Sequence, residues 1–171
     1  MNKYRTNTCG ELRKANVGEN VRLSGWIHSV RDHGGVIFID LRDHYGITQV
    51  VIDPECAFYQ ALERWRVETV VRFDGEVIAR SESTVNPKLA TGEIEIKATD
   101  MEILGDAEVI PFLIAKDDGA PEAMRLKYRF LDLRRDELHR NIMLRSQVIA
   151  EMRRYICLLY TSPSPRDTER S

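Results

Sequence analysis

A chain of 171 residues with 43% apolar and 30% charged side chains can bury one domain well and begin a second, and its formal net charge is only −2. No run approaches the ~20 apolar residues of a membrane span, and MNKYRTNTCGEL lacks the apolar core of a secretory signal, so a cytoplasmic location is the expectation. The cysteines Cys9, Cys56 and Cys157 lie far apart and His28, His33, His44 and His139 show no paired spacing, which argues against a disulfide framework or a metal site.

In chain order, Tyr4 to Leu12 reads as a short lead-in and Asn16 to Asn20 as a turn cluster. Val21 to Val30 alternates as a first strand, with the internal Gly25 suggesting a bulge or sharp coil where a long strand bends through a small barrel. Gly34-Gly35 supplies a hairpin turn. The next strand, Val36 to Leu41, puts Val36, Phe38 and Asp40 on one face and Ile37, Ile39 and Leu41 on the other. The second face is wholly aliphatic. The first displays a lone aromatic beside polar groups, a surface suited to stacking an unpaired base and hydrogen-bonding its edge. Arg42 to Gly46 turns the chain into a third strand, Ile47 to Asp53.

Asp53-Pro54-Glu55 can open a helix running to about Arg64, with Asp53 as its cap and Pro54 in its first turn. Thr69 to Ala79 and Glu93 to Leu104 complete five strands, separated by the polar loop Arg80 to Gly92. Five strands in meander with a helix between the third and fourth is the order of a five-stranded OB-fold barrel, with a sandwich fragment as the alternative. This domain is expected over residues 1–105, a linker over 106–123, and the start of a second domain over 124–155. From about Pro121 the chain turns helix-prone, and Leu138, Ile142, Leu144, Val148, Ile149 and Met152 recur at the spacing of one long amphipathic helix. Alone that helix has nothing to bury its apolar stripe against.

Charge follows the same division. Residues 1–105 hold 13 Lys/Arg against 16 Asp/Glu, whereas residues 124–155 hold nine against four. A domain reading bases through a few side chains needs no large positive field, and salt-dependent docking then falls to the downstream segment. The plainer reading makes those basic residues the solvated face of a helix.

Four collinear blocks carry a resemblance: TCGELR at residues 8–13, LSGWIHSVRDHGGVIFIDLRDHYGITQVV at 23–51, NPKLATGEIEI at 86–96 and RLKYRFLDLRRDELHRNIMLRSQVI at 125–149. Over about residues 3–155 they closely resemble bacterial-type aspartyl-tRNA synthetase. The resemblance implies an N-terminal OB-fold that binds the tRNA anticodon, a hinge, and the beginning of a class II catalytic domain. It also implies that Phe38 stacks on the central anticodon base, that Gln49 reads its edge, and that Arg31 and Glu95 make further anticodon contacts. Read without it, Phe38 is an ordinary core aromatic, Gln49 a solvated strand residue, and Arg31 and Glu95 a weak surface pair. His33 resembles the branch of the family that charges both aspartate and asparagine tRNAs. Ser83 stands where many such enzymes have glycine, a departure from that pattern.

The parent enzyme so implied uses ATP and magnesium and forms a homodimer; no catalytic residue, cofactor or metal site is expected within this chain, which should be inactive as a ligase. Tyr155 to Ser171 departs from the family, and its Ser/Pro-rich stretch reads as a truncation or junction with residues 156–171 disordered. Two other classes stay open: a free-standing OB-fold RNA-binding module, and a structural or protein-interaction barrel. The linker and Arg-rich helix speak against both.

Overall fold

Alternation of aliphatic and polar residues becomes a closed barrel once five strands find partners on both edges. The computed structural model describes residues 2–59, 65–116 and 118–159. Its strands are β1 (Asn20–His33), β2 (Val36–Arg42), β3 (Ile47–Ile52), β4 (Val70–Ala79) and β5 (Ile94–Gly105), joined around the barrel in the order β1-β2-β3-β5-β4. This is a five-stranded OB-fold, but it is not a simple meander. After β3 the chain crosses to pair β4 antiparallel with β1, and β5 then returns between β4 and β3. The closing β3–β5 seam is parallel and short, Val50 against Ile96 and Val51 against Lys97. Thr91, buried just before β5, extends it by donating its hydroxyl to the Ile47 carbonyl at 2.5 Å.

Length lets β1 serve two neighbours. Residues 20–26 pair with β4 and residues 26–33 with β2, with a register shift between Ile27 and Ser29. The irregularity thus falls at His28 rather than at Gly25. Gly25 answers a different need, because a Cβ there would run into the Arg42 carbonyl of β2. Gly34 and Gly35 both take positive φ, +67° and +99°, the backbone that a two-residue hairpin of favourable twist demands. The Gly35 N–H donates to Asp32 Oδ1 at 3.0 Å.

The β2 alternation holds as read: Ile37, Ile39 and Leu41 are buried while Val36, Phe38 and Asp40 are half-buried. The core they join includes Leu23, Ile27, Val50, Ile52, Phe73, Ile94 and Ile96. The lead-in also belongs to it. Cys9 and Leu12 have no exposed surface, and the Thr48 hydroxyl donates to the Cys9 carbonyl at 2.6 Å. Burial, with Asp43 nearby, pushes the Cys9 thiol well above its ordinary pKa, so this sulfur is an inert packing group. At the β1–β2 edge, buried Arg42 donates through Nη2 to both Glu68 carboxylate oxygens at 2.7 and 2.9 Å.

The helix expected to open at Asp53 is not seen over the described residues there. Residues 53–59 form successive tight turns, with Cys56 N–H donating to Asp53 O and Tyr59 N–H to Cys56 O, each at 3.0 Å. The Asp53 carboxylate is taken by Lys97 Nζ at 2.9 Å. The rest of the helix expected there, residues 60–64, lies outside the described residues. Downstream, the helix-prone run from about residue 121 forms α1 (Glu122–Lys127), α2 (Arg129–Asp132) and α3 (Asp136–Leu159), and the amphipathic helix expected over Leu138 to Met152 lies whole within α3. Tyr128, at φ −107° and ψ 45°, interrupts the first pair. Asp132 draws Arg125 and Arg129 to its two oxygens at 3.0 and 2.9 Å, a fully buried carboxylate neutralised by arginines that a smooth helix leaves on its outside. Helix α3 continues through Leu159, past residue 156 where a disordered tail is expected, because Ile156 to Leu159 contain no breaker before Pro163. The remaining tail residues, 160–171, are outside the described set.

By backbone contacts the chain divides into Met1–Ala115 and Lys116–Ser171. Within the second unit, α3 leaves Ile142, Leu144, Val148 and Met152 exposed. No described helix is long and apolar enough to cross a membrane.

Candidate nucleic-acid interface

The half-buried face of β2 opens onto a groove of about 640 Å³ lined by Arg31, His33, Phe38, Asp40, Gln49 and Glu95, and by Arg80, Ser81, Thr84, Asn86 and Leu89 of the loop after β4. Strand pairing explains how they meet. Arg31 lies opposite Phe38 across β1–β2, and Asp40 opposite Gln49 across β2–β3. Glu95 reaches the same face from β5.

Phe38 forms the apolar floor, with His33 edge-on to it at 5.6 Å between ring centroids and 73° between planes. The hairpin glycines bring His33 back over β2 to make this contact. Beside the ring runs a chain of polar groups. Arg31 Nη2 donates to Asp40 Oδ1 at 2.7 Å and to Gln49 Oε1 at 3.3 Å. Gln49 Nε2 donates to Glu95 Oε2 at 3.0 Å, and Glu95 lies 3.8 Å from Arg80 Nε. Ser29 closes the other end, its hydroxyl donating to Asp40 Oδ2 at 2.6 Å.

Burial governs the electrostatics. The Glu95 carboxyl is raised above its ordinary pKa by desolvation, opposed by the Arg80 charge and the Gln49 hydrogen bond. Desolvation likewise lowers Arg80, opposed by Glu95 and Asp40 and reinforced by Arg31. The Arg80 side chain is only 4% exposed and donates through Nε to the Ile94 carbonyl at 3.0 Å, yet its Nη2 finds no hydrogen-bond partner among the described residues. A buried donor left open is costly, and a ligand carrying acceptors relieves it.

Of the six candidate residues, Arg31, His33, Phe38, Gln49 and Glu95 converge on this groove. Ser83 does not line it; its hydroxyl is 3.1 Å from that of Ser81, which does. Asp40 and Arg80, which also line the groove, were not among the candidate site residues. Asp40 was visible as the polar neighbour of Phe38 on one strand face, but Arg80 opens a polar loop and carries no sequence signal that its guanidinium is buried. Among the described residues no group of three His, Cys, Asp or Glu side chains could hold a metal ion.

Residues 21–104 of this five-stranded barrel match the family model of the OB-fold nucleic acid binding domain. The chain itself is homologous to aspartate–tRNA ligases. It is 60% identical over 153 residues to the aspartate–tRNA(Asp/Asn) ligase of Paracoccus denitrificans and 58% identical over 154 residues to that of Agrobacterium fabrum. Each match covers 90% of this chain and 26% of the relative, so the chain spans about a quarter of the length of the curated relatives it matches. Among solved structures, an aspartyl tRNA synthetase from Entamoeba histolytica aligns with TM-score 0.78 at 20% identity, covering 88% of this chain and 37% of that one. An asparaginyl-tRNA synthetase from Pyrococcus horikoshii aligns with TM-score 0.76 at 22% identity, covering 88% and 33%. At those identities the likeness concerns the fold.

Proposed function

We propose that this chain is the anticodon-reading part of an aspartate–tRNA ligase, with the groove on β2 receiving the unpaired anticodon bases. The observation that carries the reading is the convergence of Arg31, Phe38, Gln49 and Glu95, drawn from four strands, on one concave surface with a single aromatic floor. Phe38 stacks the central base, Gln49 pairs with its edge, and Arg31 and Glu95 complete the contacts. Stacking is worth ~1–3 kcal/mol per base and tolerates any base, so sequence choice falls to the polar rim.

In this reading the parent enzyme activates aspartate with ATP and Mg²⁺, transfers it to tRNA, works in the cytoplasm and forms a homodimer. The described residues offer no cluster suited to the metal, and no step of that chemistry is assigned to them. His33, edge-on to Phe38, bears on whether asparagine tRNA is accepted as well; Ser83 acts there only through Ser81 and the loop. The test is binding of labelled anticodon stem-loops to the full chain. Aspartate and asparagine stem-loops bind comparably, and an unrelated stem-loop binds at least tenfold more weakly. Replacement His33→Leu raises the preference for the aspartate stem-loop. Equal binding of all three RNAs removes the reading, and an unchanged preference in His33→Leu removes His33 from it.

A further inference from the structure

The sequence holds two Asp-Gly steps, Asp74–Gly75 and Asp118–Gly119, and no Asn-Gly. In such a step the glycine nitrogen can attack the aspartyl carboxyl carbon, because no Cβ shields that nitrogen or restricts the turn the chain must make. Exposure does not separate the two, since the carboxylate side chains are 23% and 27% accessible. The backbone does. Asp74 and Gly75 lie inside β4, opposite Arg22 and Val21 of β1 on one side and Asp100 and Ala98 of β5 on the other. A Cβ on Gly75 would run into the Lys97 carbonyl oxygen, and Arg22 takes both Asp74 oxygens at 2.7 Å. Turning that peptide would break the ladder on both sides.

Asp118–Gly119 has no such frame. It falls between β5 and α1, outside the described helices and strands. Gly119 sits at φ +67°, and a Cβ there would meet nothing within 4 Å. The Ala120 N–H donates to Asp118 Oδ1 at 3.3 Å, a turn that folds the carboxyl back over the Gly119 amide. Arg135 Nη2 donates to the same oxygen at 3.2 Å.

We infer that Asp118–Gly119 is a site of spontaneous succinimide and isoaspartate formation, and that Arg135 is the brake on it. The Gly119 nitrogen bonds to Asp118 Cγ while the carboxyl C–OH bond breaks, and the hydroxyl leaves as water with the amide proton. The five-membered ring then takes up one water. Opening at Cγ restores aspartate. Opening at the α-carbonyl leaves the main chain running through Cγ, with the former α-carboxyl as the free acid. One water leaves and one returns, and nothing is oxidised or reduced.

The first step needs the neutral acid, because a carboxylate has no hydroxyl to lose. A guanidinium at hydrogen-bond distance favours the ionised form, so Arg135 slows the closure. Its own position is fixed: the side chain is 12% exposed and its Nε lies 3.6 Å from the buried Asp132 carboxylate. Isoaspartate adds one carbon to the main chain shortly before α1 and sets its carboxylate on a shorter stem. The hydrogen bonds to Ala120 and Arg135 are lost with it.

The test ages the full chain at neutral pH, then digests it and labels the peptides with an isoaspartyl methyltransferase and a labelled methyl donor. Label gathers in the peptide holding Asp118 and not in the one holding Asp74. Asp118→Glu keeps a charge for Arg135 but would need a six-membered ring, and it removes the label. Arg135→Met raises the rate about two- to fivefold, the worth of a part-exposed ion pair. Molar salt screens the same pair and acts in the same direction on the unaltered chain. Melting curves show whether Arg135→Met keeps its fold; where it does not, the salt arm decides. An Asp118 peptide that stays unlabelled, or an Asp74 peptide labelled as fast, overturns the site. A rate unmoved by salt and by a folded Arg135→Met overturns the brake.

Discussion

Replacing Phe38 by alanine removes the stacking floor while leaving the barrel intact. The ring is half-buried, touches His33 edge-on at 5.6 Å and is not part of the packed core. Loss of one base stack is worth ~1–3 kcal/mol, a weakening of about 5- to 150-fold in the dissociation constant. The folding cost should stay near ~1 kcal/mol, as for other side chains outside the core. The neighbouring residue is the control. Ile39 points into the barrel with no exposed surface, and Ile39→Ala should cost ~2–5 kcal/mol of stability while leaving the groove residues in place. Fluorescence anisotropy with an end-labelled anticodon stem-loop gives the affinity, and thermal melts give the stability. The two variants should separate cleanly: Phe38→Ala weakens RNA binding with little change in melting, Ile39→Ala the reverse. A Phe38→Ala protein binding within twofold of wild type refutes the stacking role.

Stability should depend on pH with opposite signs at two carboxylates. Arg22, hydrogen-bonded to both Asp74 oxygens at 2.7 Å, holds that carboxyl below its ordinary pKa with help from Arg72 and against burial. Its contribution is therefore present above the unfolded value near ~3.9 and is lost as pH falls through the lower folded one; Asp74→Asn should destabilise at pH 7 and match wild type in acid. Glu95, raised by burial, imposes a penalty that develops as pH rises past its unfolded value and through its folded one, so Glu95→Gln should not lose stability at pH 7. Salt dependence should be shallow: Arg31 and Arg80 are the groove's cations and both face carboxylates, so a slope of log affinity against log salt between 0 and roughly −1.4 is expected for two single-strand phosphate contacts at most.

Strand positions were legible because the barrel's inside and outside differ so sharply. Ile37, Ile39 and Leu41 could only face inward, and the two-residue Gly34-Gly35 turn then set their register. What escaped was non-local. No periodicity says that Cys9 and Leu12 of the lead-in plug the core, or that β5 returns between β3 and β4. Downstream, the helical spacing of Leu138 to Met152 marked α3, but the two short helices before it were not legible, since the pairing of Arg125 and Arg129 with the buried Asp132 carboxylate belongs to the folded chain. Family likeness pointed to five residues that the structure brings together on one groove, Arg31, His33, Phe38, Gln49 and Glu95. It passed over Asp40, whose part is to hold Arg31, and Arg80, whose burial is a property of the folded loop.

An acidic barrel as an RNA reader looks contradictory until the charges are located. Many of the domain's arginines are held by its own carboxylates: Arg22 by Asp74, Arg72 by Asp100 and Glu102, Arg42 by Glu68, Arg31 by Asp40. Such pairs contribute little attraction to a phosphate backbone, so non-specific affinity stays weak. The same pairing is what gives the groove fixed donors and acceptors. An arginine held by one carboxylate presents its remaining N–H groups in known directions, and a glutamine held at both ends presents a single edge. On the proposed anticodon-reading function, weak attraction to RNA in general and a rim of fixed donors and acceptors follow from one arrangement. A more basic barrel would bind more tightly and read less.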